Sequence, residues 1–141
     1  RYDLTKYAGV TAATPNEPEL EEIFRIKIGT DTRRLEQVAR VLLRRMRLEA
    51  LLVTRGRHGM TLFERGHRPL YIPIFGSDQV ADVTGAGDTV IAVFTLALAA
   101  GAGFERAARL ANFAGGIVVM KRGTATASLA ELRRAVDSTE A

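Results

Sequence analysis

The sequence predicts an α/β protein with a layered sheet and flanking helices, and two observations carry that prediction. An apolar stripe at helical spacing, made of Leu35, Val38, Ala39, Leu42, Leu43 and Met46, is followed directly by the apolar run Ala50 to Thr54. Such a run is typical of a strand covered on both faces, and a helix followed by a buried strand indicates α/β layers. The composition, 47% hydrophobic and 26% charged over 141 residues, is that of one folded domain.

The first predicted elements are a strand and two helices. Val10 to Thr14 reads as a short strand that ends in the turn signal Thr14-Pro15-Asn16, and a helix over Glu17 to Ile26 follows. Asp31 is a favourable N-cap for the helix that carries the apolar stripe. Polar side chains are therefore expected where the first strand ends.

The rest of the chain is predicted to contain two strands and three helices. Met60 to Glu64 and Leu70 to Ile74 are short strands joined by a turn over Arg65 to Arg68, an antiparallel pair at one edge of the sheet. After the segment Ala81 to Thr84 come the three helices: Asp88 to Ala100, closed by Gly101; Phe104 to Met120, rich in small residues; and Ser128 to Val136, with a capping box between Ser128 and Glu131.

The composition excludes several classes of site. The chain has no cysteine, which rules out disulfides, thiolate catalysis and cysteine-ligated zinc. Because His58 and His67 are its only imidazoles, a metal would be a hard cation held by oxygens, such as Mg²⁺. The longest uncharged stretch, Thr89 to Phe104, is shorter than the roughly 18 residues that indicate a membrane span, and no signal peptide is visible. We expect no membrane association and a cytoplasmic location.

The net charge of +4 and the pI near 10.0 permit attraction to phosphates. Most of the basic residues cluster in the predicted stripe helix: Arg33, Arg34, Arg40, Arg44, Arg45 and Arg47. Because the same helix has a clean apolar stripe, a solvated face is the favoured interpretation and no nucleic-acid partner is expected. Nucleic-acid binding is a weaker alternative, and it predicts an affinity that falls steeply with salt.

The clearest chemical signal is Asp82-Val83-Thr84-Gly85-Ala86-Gly87-Asp88. Small residues directly before a helix expose consecutive backbone N–H groups, and the helix dipole adds positive charge at the same point. The amides of Gly85, Ala86 and Gly87 are thus suited to hold a phosphate being transferred, and Asp88 is suited to accept the proton of an attacking hydroxyl. The structural alternative is that the glycines make a tight turn and Asp88 caps the helix. No P-loop Gly-Lys-Ser/Thr is present.

The stretch Asp82 to Asp88 resembles the C-terminal signature of the ribokinase-like (PfkB-type) carbohydrate kinases. Three further segments resemble that family in order and spacing: Thr14-Pro15-Asn16 with Glu19, Thr54-Arg55-Gly56 with Gly59, and Ala111-Asn112-Phe113-Ala114. Four ordered matches are far more specific than one. The resemblance implies the C-terminal half of a ribokinase-like fold and ATP-dependent phosphorylation of a sugar or sugar phosphate hydroxyl.

The resemblance also implies roles for individual residues. It implies that Asn16 and Glu19 organise Mg²⁺, mainly through water. It also implies that ATP is bordered by Thr54, Arg55, Gly56 and Gly59, and that Asn112 lines the adenine pocket. Each position has a structural alternative as well: an Asx turn at Asn16, ordinary first-turn helix chemistry at Glu19, a generic strand exit at Thr54 to Gly56, and a backbone partner for Asn112.

Within the family, the chain is most similar to the heptose-phosphate kinase domain of bifunctional ADP-heptose biosynthesis proteins. The similar stretches are Thr14-Pro15-Asn16, Leu51-Leu52-Val53-Thr54-Arg55, Asp82 to Ile91 and Gly123-Thr124-Ala125-Thr126. The family's N-terminal half supplies the glycine-rich sugar pocket and the lid, to which nothing in these 141 residues corresponds. We therefore expect a nucleotide-binding and catalytic portion that acts as a homo-oligomer or pairs with an N-terminal half. The second hypothesis is a nucleotide-binding or oligomerising module without catalytic turnover.

Overall fold

The computed structural model describes residues 4–76 and 83–140. Asp82 and part of the segment Ala81 to Thr84, both singled out above, lie outside the described residues. The chain divides into two compact units. The first contains Arg1–Arg55 and Thr61–Tyr71, and the second contains Gly56–Met60 and Ile72–Ala141.

The first unit is built on a sheet with the strand order β1-β2-β3-β4. The strands are β1 (Ala12–Ala13), β2 (Ala50–Thr54), β3 (Met60–Glu64) and β4 (Leu70–Ile72), and β1 pairs with β2 in parallel. Met60 and Ile72 are grouped with the second unit. The helices of the first unit are α1 (Glu17–Phe24) and α2 (Thr32–Met46), preceded by a 3-10 turn over Leu4–Tyr7 that the sequence did not predict.

The predicted stripe of α2 forms the core of the first unit. All six stripe residues are buried, and they cluster with apolar side chains from α1, β2 and β3: Leu20, Leu51, Val53 and Phe63. The predicted N-cap is confirmed, because the Asp31 side chain accepts a hydrogen bond from Arg34 N at 3.0 Å. Burial of one apolar face thus fixes α2 beside the sheet.

Two elements of the first unit are shorter than predicted, for local reasons. The strand predicted over Val10 to Thr14 is reduced to Ala12–Ala13, because Val10 N bonds back to the Tyr7 carbonyl in a turn. The first helix ends at Phe24 rather than Ile26. Arg25 adopts a left-handed conformation, with φ of 52°, and Ile26 N donates to the Glu21 carbonyl across the helix end.

The second unit consists mainly of α3 (Ala86–Ala99), α4 (Phe104–Val119) and α5 (Leu129–Glu140), with a 3-10 turn over Gly56–His58 that the sequence did not predict. α5 continues beyond the predicted end at Val136. The strand predicted over Leu70 to Ile74 stops at Ile72, because Pro73 has no N–H to extend the ladder.

Small residues let α3 and α4 approach closely, as the sequence predicted. A Cβ placed on Gly115 of α4 would lie 3.1 Å from Val90 Cγ2 of α3. Among the described residues, no helix is both long and apolar enough to cross a membrane.

Candidate functional site

The Gly85-Ala86-Gly87 segment forms the start of α3. Gly85 is the N-cap residue in a left-handed conformation, with φ of 76° and ψ of 0°, which favours glycine over other residues. This cap lets the helix begin at Ala86, two residues earlier than predicted. A Cβ placed on Gly87 would meet no heavy atom of the described residues within 4 Å, so these residues leave the backbone at this helix start open.

The amides at this helix start differ in availability. Ala86 N donates to the Val83 carbonyl at 3.2 Å. Across residues 4–76 and 83–140, the backbone hydrogen bonds show no acceptor for Gly87 N, as expected for a donor in the first turn of a helix. Of the three predicted anion-binding amides, that of Ala86 already has a partner, whereas those of Gly85 and Gly87 show no backbone acceptor among the described residues.

Asp88 is the third residue of α3, and its side chain is exposed. The cap position belongs to Gly85, and no side chain makes a capping hydrogen bond at this end. Within the described part of the chain, no hydrogen bond or ion pair engages the Asp88 carboxylate. The alternative interpretation of Asp88 as a helix cap is therefore wrong, and Asp88 directly follows Gly87 in the first turn of α3.

Asn112 lies on α4 at the base of a cavity of about 310 Å³. Its side chain is 7% exposed, and Nδ2 donates to the Pro73 carbonyl at 2.9 Å. The backbone partner considered from the sequence is thus present, and it leaves Oδ1 and the second N–H of Nδ2 for other partners.

The cavity beside Asn112 is mostly apolar. Phe75 and Phe113 meet edge to face, with ring centroids 4.8 Å apart and planes at 85°. The other lining residues come from the segment after β4 and from α4 and α5: Ile72, Pro73, Ile74, Arg109, Val136 and Thr139. A concave apolar space of this size with few polar groups is the usual form of a small-molecule site.

In the first unit, the ends of β1 and β2 bring two predicted site segments together. Asn16 forms a parallel bridge with Thr54, and Thr54 N donates to the Pro15 carbonyl at 3.0 Å. Asn16 also caps α1. Its Oδ1 accepts from Glu19 N at 2.8 Å, while Glu19 Oε2 accepts from Asn16 N at 2.8 Å. The local helix chemistry considered for these two residues is thus what the structure shows.

Arg55 and Gly59 have evident structural roles. Arg55 Nε donates to Glu17 Oε2 at 2.7 Å, and the side chains of Arg55 and Glu17 are only 6% and 17% exposed. One of the terminal nitrogens of Arg55 also donates to the Gly29 carbonyl at 3.1 Å. Gly59 has φ of 73°, and a Cβ there would overlap the backbone of Ile72 to Ile74. By contrast, a Cβ on Gly56 would meet nothing within 4 Å.

Mg²⁺ fits this chain only as an ion held largely by water and phosphate. No group of three or more histidine, aspartate or glutamate side chains in the described segments could hold a metal ion. Glu19 has one carboxylate oxygen in the capping box and a second oxygen that could face a hydrated ion. Mg²⁺ commonly keeps several waters and takes one or two carboxylates plus substrate phosphates, which agrees with this donor set.

Sequence reasoning missed two features around these residues. The cavity depends on Phe75, Val136 and Thr139, which come from separate segments and carry no motif. Lys121 pairs with Glu131 at 2.8 Å. The capping box between Ser128 and Glu131 was predicted, but the addition of Lys121 to it depends on the fold.

Comparison with known proteins identifies the group to which these features belong. The family model described as pfkB family carbohydrate kinase matches residues 3–131. The bifunctional protein HldE of Chromohalobacter salexigens is 49% identical over 135 residues, which cover 96% of this chain and 28% of that protein. The chain therefore spans little more than a quarter of that curated relative's length.

Solved structures agree on the fold. Ribokinase of Arabidopsis thaliana, complexed with ribose and ATP, superposes with a TM-score of 0.77 and 27% identity, over 92% of this chain and 42% of that one. Phosphofructokinase-2 of Escherichia coli, in complex with potassium, gives a TM-score of 0.84 at 18% identity, over 97% of this chain and 43% of that one. The predicted ribokinase-like α/β fold is thus confirmed.

Proposed function

Because this chain belongs to the pfkB family of carbohydrate kinases, we propose that it carries the nucleotide-binding and phosphoryl-transfer portion of an ATP-dependent sugar kinase. The acceptor is a hydroxyl of a sugar or sugar phosphate. A heptose phosphate is favoured by the resemblance of Thr14-Pro15-Asn16 and Gly123-Thr124-Ala125-Thr126 to heptose-phosphate kinases. We place the reaction in the cytoplasm and expect the chain to act as a homo-oligomer or with an N-terminal half.

The observation that carries the proposal is the open start of α3. An exposed, unpaired carboxylate at Asp88 adjoins an amide at Gly87 that has no acceptor in the described segments. Phosphoryl transfer depends mainly on positioning and electrostatic stabilisation, and these two groups supply both. The amide and the helix dipole favour phosphate negative charge, while the carboxylate takes up a proton.

In the proposed reaction, Asp88 accepts the proton of the acceptor hydroxyl. The oxygen of that hydroxyl bonds at the same time to the γ-phosphorus of ATP. The bond from that phosphorus to the β,γ-bridging oxygen breaks, so ADP leaves and the sugar gains the phosphoryl group. The amides of the segment Gly85 to Gly87 hold the transferring phosphoryl oxygens. The amide of Ala86 contributes only if it exchanges the Val83 carbonyl for phosphate.

The remaining predicted residues are assigned to the nucleotide and its metal ion. The cavity beside Asn112 would take the base, with Oδ1 of Asn112 available to an exocyclic amine. Glu19 and Asn16 would order the hydrated Mg²⁺, which supplies positive charge to the phosphates when bound. Thr54, Gly56 and the capped strand end would border the nucleotide, while Arg55 and Gly59 act by holding that backbone in place.

Replacing Asp88 with Asn tests the proposal. The amide keeps the shape of the carboxylate but cannot serve as the base. In an assay that supplies an N-terminal half with its sugar pocket, sugar-dependent ADP release should therefore fall by about 10²- to 10⁴-fold while ATP affinity is retained. The matched control is Asp137→Asn, because Asp137 is also an exposed helical aspartate but lies on α5. That control should keep full activity.

Two outcomes would count against the proposal in different ways. Full activity in Asp88→Asn would exclude the assigned mechanism. ATP binding by calorimetry without any sugar-dependent ADP release, even when an N-terminal half is supplied, would instead favour the second hypothesis, a nucleotide-binding or oligomerising module without turnover.

A further inference from the structure

The segment between α4 and α5 is tied at both ends by one network of polar contacts. Lys121, at the end of α4, donates from Nζ to the Thr126 carbonyl at 2.7 Å and pairs with Glu131 Oε1 at 2.8 Å. Glu131 Oε2 accepts from both N and Oγ of Ser128 at 2.8 Å. One carboxylate of α5 therefore joins the end of α4 to the N-cap of α5.

The segment held by this network, residues 122–127, lies beside the start of α3. Thr124 Cγ2 is 3.9 Å from the position that a Cβ on Gly85 would occupy, which is ordinary van der Waals contact. Gly123 is in a left-handed conformation, with φ of 70°. The methyl group of Thr124 therefore lies next to the N-cap residue of α3, Gly85.

The geometry points to Lys121 and Glu131 as positioning residues that hold residues 122–127 against the start of α3 and so preform the site for the nucleotide phosphates. This inference rests on the proposed function, which assigns phosphate to that helix start. Lys121 acts here through the loop rather than as a phosphate ligand, because its ammonium group already contacts a carboxylate and a carbonyl. A preformed loop lowers the entropy that binding must otherwise overcome.

The electrostatics of the cluster agree with this role. The hydrogen bond from Lys121, followed by those from Ser128, lowers the pKa of Glu131 from its ordinary value of 4.5 to about 2. The carboxylate therefore remains charged under any condition suited to nucleotide binding. The two side chains are 36% and 28% exposed, so the pair makes a modest contribution to global stability and its loss should leave the chain folded.

Lys121→Gln and Glu131→Gln test the inference, because each removes one charge while keeping a side chain of similar length. Calorimetric titration with MgADP should show affinity weaker by about tenfold in each single variant, and the double variant should be no weaker than either. Hydrogen exchange at the amides of residues 123–127 should become faster in all three. Lys121→Arg should restore affinity, since it preserves the charge.

Glu36→Gln provides the matched control. Glu36 pairs with Arg40 on α2 at 2.6 Å, with side chains 35% and 41% exposed, so the same charge is lost from a similar pair in the first unit. Its nucleotide affinity should equal that of the wild type. Thermal unfolding of every variant establishes that each is folded.

The outcomes separate the two proposals. If the wild-type chain binds nucleotide and both single variants bind it equally well, the positioning role is excluded while the proposed function stands. If losses in the single variants add in the double variant, Lys121 and Glu131 act independently and the inference is overturned. If the wild-type chain binds no nucleotide at all, the proposed function itself fails, and the inference falls with it.

Discussion

Asn112 illustrates how one buried polar atom constrains several parts of a site. Its amide group donates to the Pro73 carbonyl, which β4 leaves unpaired because the strand ends one residue earlier. The same hydrogen bond places the amide at the base of the cavity formed with Phe75 and Phe113. A structural partner and a ligand role are therefore compatible, since the amide has a second polar atom.

Gly116 is the glycine of α4 at which we expect the larger steric effect of a small substitution. A Cβ there would lie 2.5 Å from the Phe75 carbonyl oxygen and 3.0 Å from its ring, so the backbone of residue 75 would have to move. Gly116→Ala should lower the free energy of unfolding by about 1–3 kcal/mol, as overpacked cores do. Urea denaturation monitored by circular dichroism measures this change.

Gly115→Ala is the control at the neighbouring position. Its Cβ would approach only side-chain atoms, Val90 Cγ2 at 3.1 Å and Met60 Cε at 3.6 Å, and these can shift. The loss should be clearly smaller than at Gly116, partly offset by the better helix propensity of alanine. Equal stability of the two variants would contradict the packing described around Phe75.

The C-terminal end of α2 offers a test of backbone strain at the scale of a helix. Arg47 closes the helix in a left-handed conformation, with φ of 56° and ψ of 35°, a position where glycine is preferred. Arg47→Gly should therefore raise the free energy of unfolding by roughly 1 kcal/mol. Arg45→Gly, two residues earlier in the last turn, should lower it by about 1 kcal/mol, because glycine weakens a helix interior.

Opposite signs for the same chemical change would be hard to explain by charge, which both substitutions remove equally. Thermal or urea unfolding of the two variants decides the point. A loss of stability in both would show that Arg47 makes contacts in solution that outweigh its backbone strain.

The elements differ in how far the sequence determined them. The long helix α2 was predicted well because its cap and stripe are local features, and α4 and α5 began close to their predicted first residues for the same reason. β1 and β4 were predicted too long, since their ends depend on the turn at Val10 and on the imino nitrogen of Pro73. The cavity could not be predicted at all, because its walls come from separate segments brought together only by packing.

The candidate site divides in the same way. The glycine-rich helix start and the position of Asp88 follow from adjacent residues, so the sequence was sufficient to single them out. The pairing of Lys121 with Glu131 was not predicted, because a charged pair ten residues apart depends on the path of the turn between α4 and α5. For Asn16 and Glu19, the sequence offered an Asx turn and first-turn helix chemistry as alternatives. The reciprocal capping box, which engages one carboxylate oxygen of Glu19, was not predicted.

At the scale of the whole molecule, each compact unit contains a glutamate whose pKa is lowered in the folded chain. Glu21 of the first unit has a lowered pKa, chiefly through its hydrogen bond with Lys27 and next through the backbone N–H of Ile28. Glu131 of the second unit has its pKa lowered to about 2, chiefly through Lys121. Both units therefore contain an ion pair that depends on an ionised glutamate.

These shifts predict how the melting temperature varies with pH. A carboxylate whose pKa is lower in the folded chain stabilises it fully above its unfolded value of 4.5, and that contribution disappears as the pH falls through the folded pKa. For Glu131 the loss extends from about pH 4.5 to about pH 2. The melting temperature of the wild type, recorded between pH 7 and pH 2, should fall across this window.

The variants separate Glu131 from the other carboxylates of the chain. Glu131→Gln should melt below the wild type at pH 7, and the two curves should converge as the pH approaches 2, because the amide has no charge to lose. In Lys121→Gln, the carboxylate remains but its main stabilising partner is gone, so its folded pKa lies nearer 4.5. Its share of the decline should still begin near pH 4.5, but it should be smaller and should end at a higher pH than in the wild type. A constant difference between Glu131→Gln and the wild type across the whole range would show that Glu131 stabilises the fold by packing and capping alone, without the ion pair.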